Sequence, residues 1–201
     1  MGEQDAIGHV EAGSTGAVIL TGGGSVRLDG ADKASVEIGG LTLLEHTLGA
    51  LVDVDEVVVV GDHVPTSRPV TFTREDPSGG GPAAGLLAGL DCFARTPVWL
   101  VVLAVDMPLV TSWTIRRLRD AARYDGAALI DEGRRLQYLC AVYLTASLQA
   151  VRPSYEGEFG LSMKALVGRL RIEHVPAIGP EGSDVDTWSD VLRLREVLGE
   201  Q

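Results

Sequence analysis

Lysine, cysteine and aromatic residues are scarce in this chain of 201 residues, and acidic residues outnumber basic ones. The formal net charge is −11, and aromatic residues make up 5% of the chain. Duplex nucleic acid and anionic membranes bind cationic surfaces, so we expect neither as a partner. The hydrophobic fraction of 45% is nevertheless ordinary for a folded protein and excludes wholesale disorder.

The two cysteines, Cys92 and Cys140, are too few for a disulfide framework and lack a metal-type spacing, so we expect two buried reduced thiols. The longest uninterrupted apolar run, residues 98–105, has eight residues, whereas a bilayer span needs roughly 20. No basic segment precedes an apolar one at the N-terminus, where a signal peptide would lie. These absences predict a cytoplasmic protein.

Apolar segments with strand and helix patterns alternate along the chain. Residues 1–16 have no periodic pattern and predict a flexible tail, followed by a single domain over residues 17–201. The predicted strands cover residues 17–21, 57–60, 70–73, 98–105, 127–130 and 136–143. The predicted helices cover residues 41–52, 113–122, 161–170 and 191–198, with a further helix from Pro82. This order predicts an α/β fold with a mostly parallel sheet and an antiparallel hairpin excursion near 127–143.

Glycine-rich and acidic segments follow three of the predicted strands, at residues 22–33, 78–85 and 106–108. A fourth segment, residues 184–187, lies just before the last predicted helix and carries two aspartates. Doubly wound sheets bind their ligands beyond the carboxyl ends of the strands. The sequence therefore predicts a ligand site where these segments meet.

The loop over residues 22–33 is a candidate phosphate site. Successive glycines let backbone amides turn toward an anion, and Ser25, Arg27 and Lys33 can add donors. The dinucleotide fingerprint fails at Arg27, and a Walker A loop is excluded because the chain contains no Gly-Lys dipeptide. Lys33 is one of only two lysines, and its compact ammonium suits a phosphate contact. The alternative interpretation is a long surface turn.

Asp106 directly follows the most apolar predicted strand, at the mouth of the expected site. Magnesium is usually held by one or two carboxylates together with phosphate oxygens, so Asp106 and Asp186 form a candidate metal pair. The alternative is helix capping. Asp106 precedes a Met-Pro pair, and Asp184 and Asp186 precede a helix whose first residues, TWSD, fit a capping box.

Six segments, in this order, resemble the molybdenum cofactor guanylyltransferases: LTGGGSVRLDGADK, REDPSGGGPAAGLLAGL, LAVDMPLV, GRRLQYLCAVY, GLSMKALVGRL and DVDTWSDV. The resemblance covers about residues 17–199 and implies a Rossmann-like, three-layer α/β/α nucleotidyltransferase domain. It implies Mg²⁺-dependent transfer of GMP from GTP to the terminal phosphate of molybdopterin, which yields molybdopterin guanine dinucleotide and pyrophosphate. It also implies a molybdoenzyme or a cofactor-insertion protein as a partner.

The resemblance implies roles for individual residues. Arg27 and Lys33 would contact the triphosphate, and Asp106 would bind the metal beside GTP, so these three are the expected catalytic residues. Asp186 would supply the second metal contact, and Lys164 would face the pterin phosphate. The expected nucleotide-binding residues are Leu20, Thr21, Gly22, Gly23, Lys33, Asp62, Asp76, Gly81 and Asp106.

Three alternatives to a guanylyltransferase stay open. The first is an enzyme of the same fold that uses CTP or a sugar phosphate. The second is a non-catalytic protein that binds a nucleotide or molybdopterin. Asp29 and Asp62 favour it, because each adds a negative charge near the expected nucleotide where the family has glycine and often asparagine. The third is an unrelated α/β protein with a glycine-rich surface loop.

Overall fold

The computed structural model describes residues 13–22, 32–76 and 78–197. Most of the predicted tail and Gly23, Ser25, Arg27 and Asp29 therefore lie outside the described residues. The strands are β1 Thr15–Leu20, β2 Glu37–Ile38, β3 Leu41–Thr42, β4 Glu56–Val60, β5 Thr71–Thr73, β6 Trp99–Ala104, β7 Gly126–Ile130, β8 Leu136–Leu144 and β9 Ile172–Pro176. The helices are α1 Leu43–Ala50, α2 Pro82–Leu90, α3 Ser112–Ala121, α4 Thr145–Val151, α5 Tyr155–Glu158, α6 Met163–Val167 and α7 Trp188–Val197.

Five strands pair in the order β5-β4-β1-β6-β8, and of these five only β8 runs antiparallel to its neighbour. Strands β7 and β9 pair in parallel, and β7 lies beside β8, so the sheet is mostly parallel and has seven strands. The turn between β7 and β8 is closed by a hydrogen bond from Asp131 N to Arg135 O at 3.0 Å. The predicted α/β class and the predicted hairpin are confirmed.

Helices cover both faces of the sheet, which explains why its central strands are apolar on both sides. All six residues of β6 are buried. One face packs against α1, α3 and α7 through Leu44, Leu48, Ile115, Leu118, Val191 and Leu194. The other face packs against α2, α4 and α6 through Leu86, Leu87, Leu148, Leu166 and Val167. Burying both faces leaves the ends of the strands as the place where polar groups can gather.

Two predicted helices are shorter in the structure. The helix predicted over residues 41–52 begins at Leu43, because residues 41–42 pair with β2 and the Thr42 hydroxyl accepts a hydrogen bond from Glu45 N at 3.1 Å. The helix predicted over residues 161–170 spans only Met163–Val167, with Ser162 as its N-cap. In both cases a capping hydroxyl, rather than the apolar period, decides where the helix begins.

Some elements were not predicted. Strand β9 carries only one buried residue, Val175, so it lacks the apolar run typical of a core strand.

Cys140 is buried as expected, but Cys92 is only partly buried near the end of α2, so the expectation of two buried thiols is half right. None of the described helices is long and apolar enough to cross a membrane.

Candidate functional site

The carboxyl ends of β1, β4, β5 and β6 lie along one edge of the sheet. The parallel registers place Leu20 opposite both Val60 and Ala104. Just beyond these strand ends lie four predicted site residues, Thr21, Asp62, Asp76 and Asp106. From β5 to β6 there are three strand spacings, about 14 Å, which an extended nucleoside triphosphate can span.

Lys33 connects the two predicted metal ligands. Its Nζ donates hydrogen bonds to Asp106 Oδ2 at 3.0 Å and to Asp186 Oδ1 at 2.6 Å. The side chains of Lys33, Asp106 and Asp186 are 13%, 27% and 63% exposed. The structure thus brings together three predicted site residues from distant parts of the chain, and we call these three side chains the Lys33 cluster.

Backbone contacts hold the three segments of the Lys33 cluster in place. Val185 N donates a hydrogen bond to Asp106 O at 2.8 Å, and the Val185 side chain is buried. Lys33 begins a short 3₁₀ turn whose N-cap is Asp32, and Asp32 Oδ1 accepts a hydrogen bond from Ala34 N at 3.2 Å. The side chain of Ala34 is fully buried, so this turn is anchored in the core.

Within the part of the chain that the structure describes, neither metal-candidate aspartate caps α3 or α7. Helix α3 has Thr111 as its N-cap. At the start of α7, the Thr187 hydroxyl accepts a hydrogen bond from Asp190 N at 3.3 Å, and Asp190 Oδ2 accepts one from Thr187 N at 2.8 Å. This is the capping box predicted from TWSD, and its hydrogen bonds lower the pKa of Asp190 to about 2. Among the described residues, the start of α3 is therefore capped by Thr111 and that of α7 by Thr187, whereas the carboxylates of Asp106 and Asp186 contact Lys33.

The charges in the site act on one another. Burial lowers the pKa of the Lys33 ammonium, but the hydrogen bonds and charges of Asp186 and Asp106 outweigh it and hold that pKa above its ordinary value. Burial raises the pKa of Asp184, and the charges of Asp106 and Asp186 raise it further. Three carboxylates thus share the field of one ammonium, and a site of this kind attracts a further cation.

Asp106 and Asp186 fit a magnesium ion. Both present carboxylate oxygens, the hard donors that magnesium prefers, and both oxygens already lie within 3.0 Å of one cationic nitrogen. Within residues 13–22, 32–76 and 78–197, no group of three or more His, Cys, Asp or Glu side chains is arranged to hold a metal ion. The remaining ligands would come from substrate phosphate and water, as is usual for magnesium.

The end of β1 is largely occupied by sheet hydrogen bonds. Leu20 O accepts a hydrogen bond from Val105 N at 3.0 Å, and both Thr21 N and Thr21 Oγ1 donate to Val60 O at 3.1 Å. These groups complete the sheet at the edge where Leu20 and Thr21 are expected to bind the nucleotide. Apart from its neighbours in the chain, no described atom lies within 4 Å of a Cβ at Gly22, and Gly22 is exposed.

Two predicted nucleotide-binding aspartates lie on the β4–β5 side of the edge. Asp62 is exposed and forms an ion pair with Arg74. Asp62, whose extra negative charge favours a non-catalytic protein, therefore has the positive charge of Arg74 beside it. Asp76 is exposed, and its carbonyl accepts a hydrogen bond from Tyr155 Oη at 2.6 Å. Among the described residues, no hydrogen bond or ion pair joins either aspartate to the Lys33 cluster.

Gly81 is the N-cap of α2, and Pro82 occupies the first helical position as predicted. The φ of Gly81, +89°, is a left-handed conformation that strongly favours glycine. Gly160 N donates a hydrogen bond to Gly80 O at 2.8 Å, which ties this glycine-rich turn to the chain after α5. The other predicted phosphate-facing lysine, Lys164, is exposed on α6.

A cleft of about 870 Å³ opens beside Asp186, and sequence reasoning did not find it. Its charged lining includes Asp131, Arg135, Asp184, Asp186, Asp190 and Arg193. Arg135 is paired with Asp131, and Arg193 is paired with Asp190. The walls come from the turn between β7 and β8, from Pro108 and Leu109, from the segment after β9 and from α7. Of these, the sequence singles out Pro108 and residues 184–186 as parts of a ligand site, but not the turn between β7 and β8.

The sheet order and the polar edge define a fold shared with nucleotidyltransferases. The structure resembles molybdopterin-guanine dinucleotide biosynthesis protein A from Archaeoglobus fulgidus with a TM-score of 0.68 and 22% identity, over 91% of this chain and 98% of that one. It resembles 2-C-methyl-D-erythritol 4-phosphate cytidylyltransferase from Thermus thermophilus with a TM-score of 0.67 and 21% identity, over 90% and 97% of the two chains. At these identities the likenesses show the fold alone.

The family follows from the sequence match. The family model for the MobA-like NTP transferase domain matches residues 17–174, and this chain belongs to that family of nucleotidyltransferases. A protein of Opitutus terrae named as a probable molybdenum cofactor guanylyltransferase is 30% identical over an alignment of 186 residues, which covers 89% of this chain and 92% of that protein. The resemblance found in the six sequence segments is confirmed.

Proposed function

We propose that this chain transfers GMP from GTP to the terminal phosphate of molybdopterin, with Mg²⁺ as cofactor and pyrophosphate as the second product. The observation that carries the proposal is the Lys33 cluster, an ammonium and two carboxylates at the edge of the sheet of an NTP transferase. The relative from Opitutus terrae, named as a probable molybdenum cofactor guanylyltransferase, supports GTP and molybdopterin as the substrates.

The reaction exchanges one phosphoanhydride bond for another. An oxygen of the pterin's terminal phosphate attacks the α-phosphorus of GTP. The bond from that phosphorus to the bridging oxygen of the β-phosphate then breaks, and its electron pair leaves with pyrophosphate. The attacking phosphate is ionised at neutral pH, so the reaction needs no general base. His46 is hydrogen-bonded to the backbone carbonyl of Ile38 at 2.7 Å, and the His63 ring packs against Phe72 at a tilt of 37°.

Charge neutralisation and positioning are the main tasks in such transfers. Lys33 is largely buried and held by two carboxylates, so its ammonium has a defined position from which a triphosphate can compete for it. A magnesium ion held by Asp106 and Asp186 would neutralise the charge on the phosphates. Arg27, which lies outside the described residues, would contribute a second cation.

The sheet edge and the cleft beside Asp186 suggest where the two substrates would lie. The nucleotide would lie along the sheet edge, with its base toward Asp62 and Asp76 and its phosphates toward Lys33. The cleft of about 870 Å³ beside Asp186 has the size of a typical small-molecule site, and it would receive the pterin. The two substrates would then meet at the Lys33 cluster, and the product would pass to a molybdoenzyme or a cofactor-insertion protein.

The decisive experiment measures pyrophosphate release from the purified chain with molybdopterin, Mg²⁺ and each of the four NTPs in turn. We expect pyrophosphate release only when GTP and molybdopterin are both present. Release with CTP alone among the NTPs would instead make the chain a cytidylyltransferase. Binding of GTP without release would make it a non-catalytic binding protein. A thermal-shift series identifies the bound base, since a ligand at 100 times its Kd stabilises by about 2.7 kcal/mol.

A further inference from the structure

Glu181 is a buried carboxylate that the proposed reaction does not use. It is 7% exposed and lies in the 3₁₀ turn Gly179–Gly182, which follows β9. Its Oε2 accepts a hydrogen bond from Thr114 Oγ1 at 2.6 Å. Its Oε1 accepts hydrogen bonds from Arg117 Nη1 at 2.6 Å and from Ile178 N at 2.7 Å. Both carboxylate oxygens are therefore engaged in short, well-defined contacts.

The contacts of Glu181 join the two segments that carry the candidate metal ligands. Thr114 and Arg117 belong to α3, which begins six residues after Asp106. Glu181 itself lies five residues before Asp186. The Glu181 side chain thus ties the segment leading to one metal ligand to the helix that follows the other.

A second tie lies close to Asp186. Val185 N donates a hydrogen bond to Asp106 O at 2.8 Å, and between the two ties Ser183 N donates to Pro180 O at 2.9 Å. The Asp186 side chain is 63% exposed, so little packing of its own holds it in position. Besides its ion pair with Lys33 and the hydrogen bond from Asp186 N to Asp190 Oδ2 at 3.1 Å, its position depends on how firmly the backbone before it is held.

We propose that Glu181 is a positioning residue that holds the backbone before Asp186, so that the carboxylates of Asp106 and Asp186 reach the same cation. Hydrogen bonds from a guanidinium and a hydroxyl to a carboxylate are among the strong ones, and a buried carboxylate without them would be costly. That the cation is Mg²⁺ rests on the proposed function, whereas the effect of Glu181 on the backbone does not.

Glu158 provides a matched control. It is 8% exposed and accepts a hydrogen bond from Arg152 Nε at 2.7 Å, so it is also a buried glutamate paired with an arginine. It lies at a separate cleft of about 330 Å³, lined also by Asp76 and Tyr155. Among the described residues, no hydrogen bond or ion pair joins Glu158 to the Lys33 cluster.

The first test compares Glu181→Gln with Glu158→Gln by amide hydrogen exchange of the full chain without metal or nucleotide. If Glu181 holds this segment, its variant loses about tenfold in protection at Val185 N–H, while Glu158→Gln changes it by less than about twofold. Equal protection of Val185 in the two variants would overturn the proposal. If Glu181→Gln fails to fold, Arg117→Lys, which keeps the charge, should show a smaller loss of protection at the same amide. Unchanged protection in that variant would equally overturn it.

The second test follows Mg²⁺ dependence in the pyrophosphate-release assay. Glu181→Gln should raise the Mg²⁺ concentration for half-maximal rate by about fivefold or more, with a smaller change in kcat at saturating Mg²⁺. In an Asp186→Asn background, Glu181→Gln should raise the Mg²⁺ requirement little further, because Glu181 acts through Asp186. If the two substitutions multiply each other's effect on the Mg²⁺ requirement, this reasoning is contradicted. If no NTP supports release in the wild type, the proposed function fails, and the exchange measurement still decides the role of Glu181.

Discussion

Replacing Lys33 by methionine removes the ammonium that Asp106 and Asp186 share. Methionine keeps a similar aliphatic length but cannot donate either hydrogen bond. Hydrogen bonds to charged groups contribute roughly 1.5–3 kcal/mol each. Because Asp186 is 63% exposed, its bond is discounted for solvent screening, and the bond to Asp106, which is 27% exposed, dominates. We therefore expect the free energy of unfolding to fall by about 2 kcal/mol in metal-free buffer of low ionic strength.

In a domain of this size that loss corresponds to a fall in Tm of about 4–8 °C, measured by calorimetry in EDTA. Adding Mg²⁺ should restore the Tm of the variant, because a divalent ion at 100 times its Kd contributes about 2.7 kcal/mol. The wild type should gain less, since its carboxylates already hold a cation. Turnover of the variant should fall by about 100-fold, as for the loss of one fixed charge-stabilising donor.

Lys164→Met is the matched control, since Lys164 is the other lysine of the chain and is exposed on α6. Its free energy of unfolding should stay within about 0.5 kcal/mol of the wild type, with or without Mg²⁺. If Lys33→Met melts like the wild type in EDTA, or if Mg²⁺ does not raise the Tm of Lys33→Met, the Lys33 cluster is not a cation site.

Three further predictions follow from the same structure. Asp106→Asn should lower the Tm by less than Lys33→Met does, because the amide oxygen can still accept the hydrogen bond from Lys33. It should lose about 100-fold in pyrophosphate release and bind GTP more weakly with Mg²⁺ in calorimetric titration; full activity would remove the metal site. Gly61→Ala should cost about 1–3 kcal/mol in urea unfolding, because its Cβ would lie 1.8 Å from Thr21 Oγ1 at a φ of +152°. Gly49→Ala in α1, where no described atom beyond its chain neighbours and the adjacent helix backbone lies within 4 Å of the Cβ, should instead gain about 0.5–1 kcal/mol, and equal effects of the two substitutions would contradict the geometry. Burial raises the pKa of Glu181, but its hydrogen bonds outweigh this and lower the pKa. Its stabilising contribution is therefore present above the unfolded pKa of about 4.3 and is lost as the pH falls through the pKa of the folded state. Between about pH 5 and pH 3 the free energy of unfolding of the wild type should fall more steeply than that of Glu181→Gln. Parallel plots of the free energy of unfolding against pH would refute this.

Local signals in the sequence sufficed for the fold class and for several element boundaries. The unbroken apolar run at residues 98–105 predicts a strand covered on both faces, and β6 is such a strand between two helical layers. Pro82 after Gly81 predicts the start of α2, and the TWSD pattern predicts the capping box at Thr187. These features depend on residues within a few positions of one another, so the sequence alone determines them.

Strand β9 shows where local signals end. Its residues are mostly half-exposed or exposed, so no apolar pattern distinguishes it from a loop. It is a strand because β7 offers it an edge, with Ala128 opposite His174 in parallel register. An edge becomes available only after distant segments have assembled, and propensity along the chain does not contain that information.

The polar site depends in the same way on tertiary structure. The sequence singled out Lys33, Asp106 and Asp186 as separate candidates, a phosphate contact and two metal ligands. Only the fold brings their charged atoms into contact, across 73 and 153 residues of sequence. Glu181 has no local signal at all, because its role comes from facing α3 across the segment after β9. Coulomb and hydrogen-bond energies depend on distance in space, so the topology of the sheet decides which of these charges can act on one another.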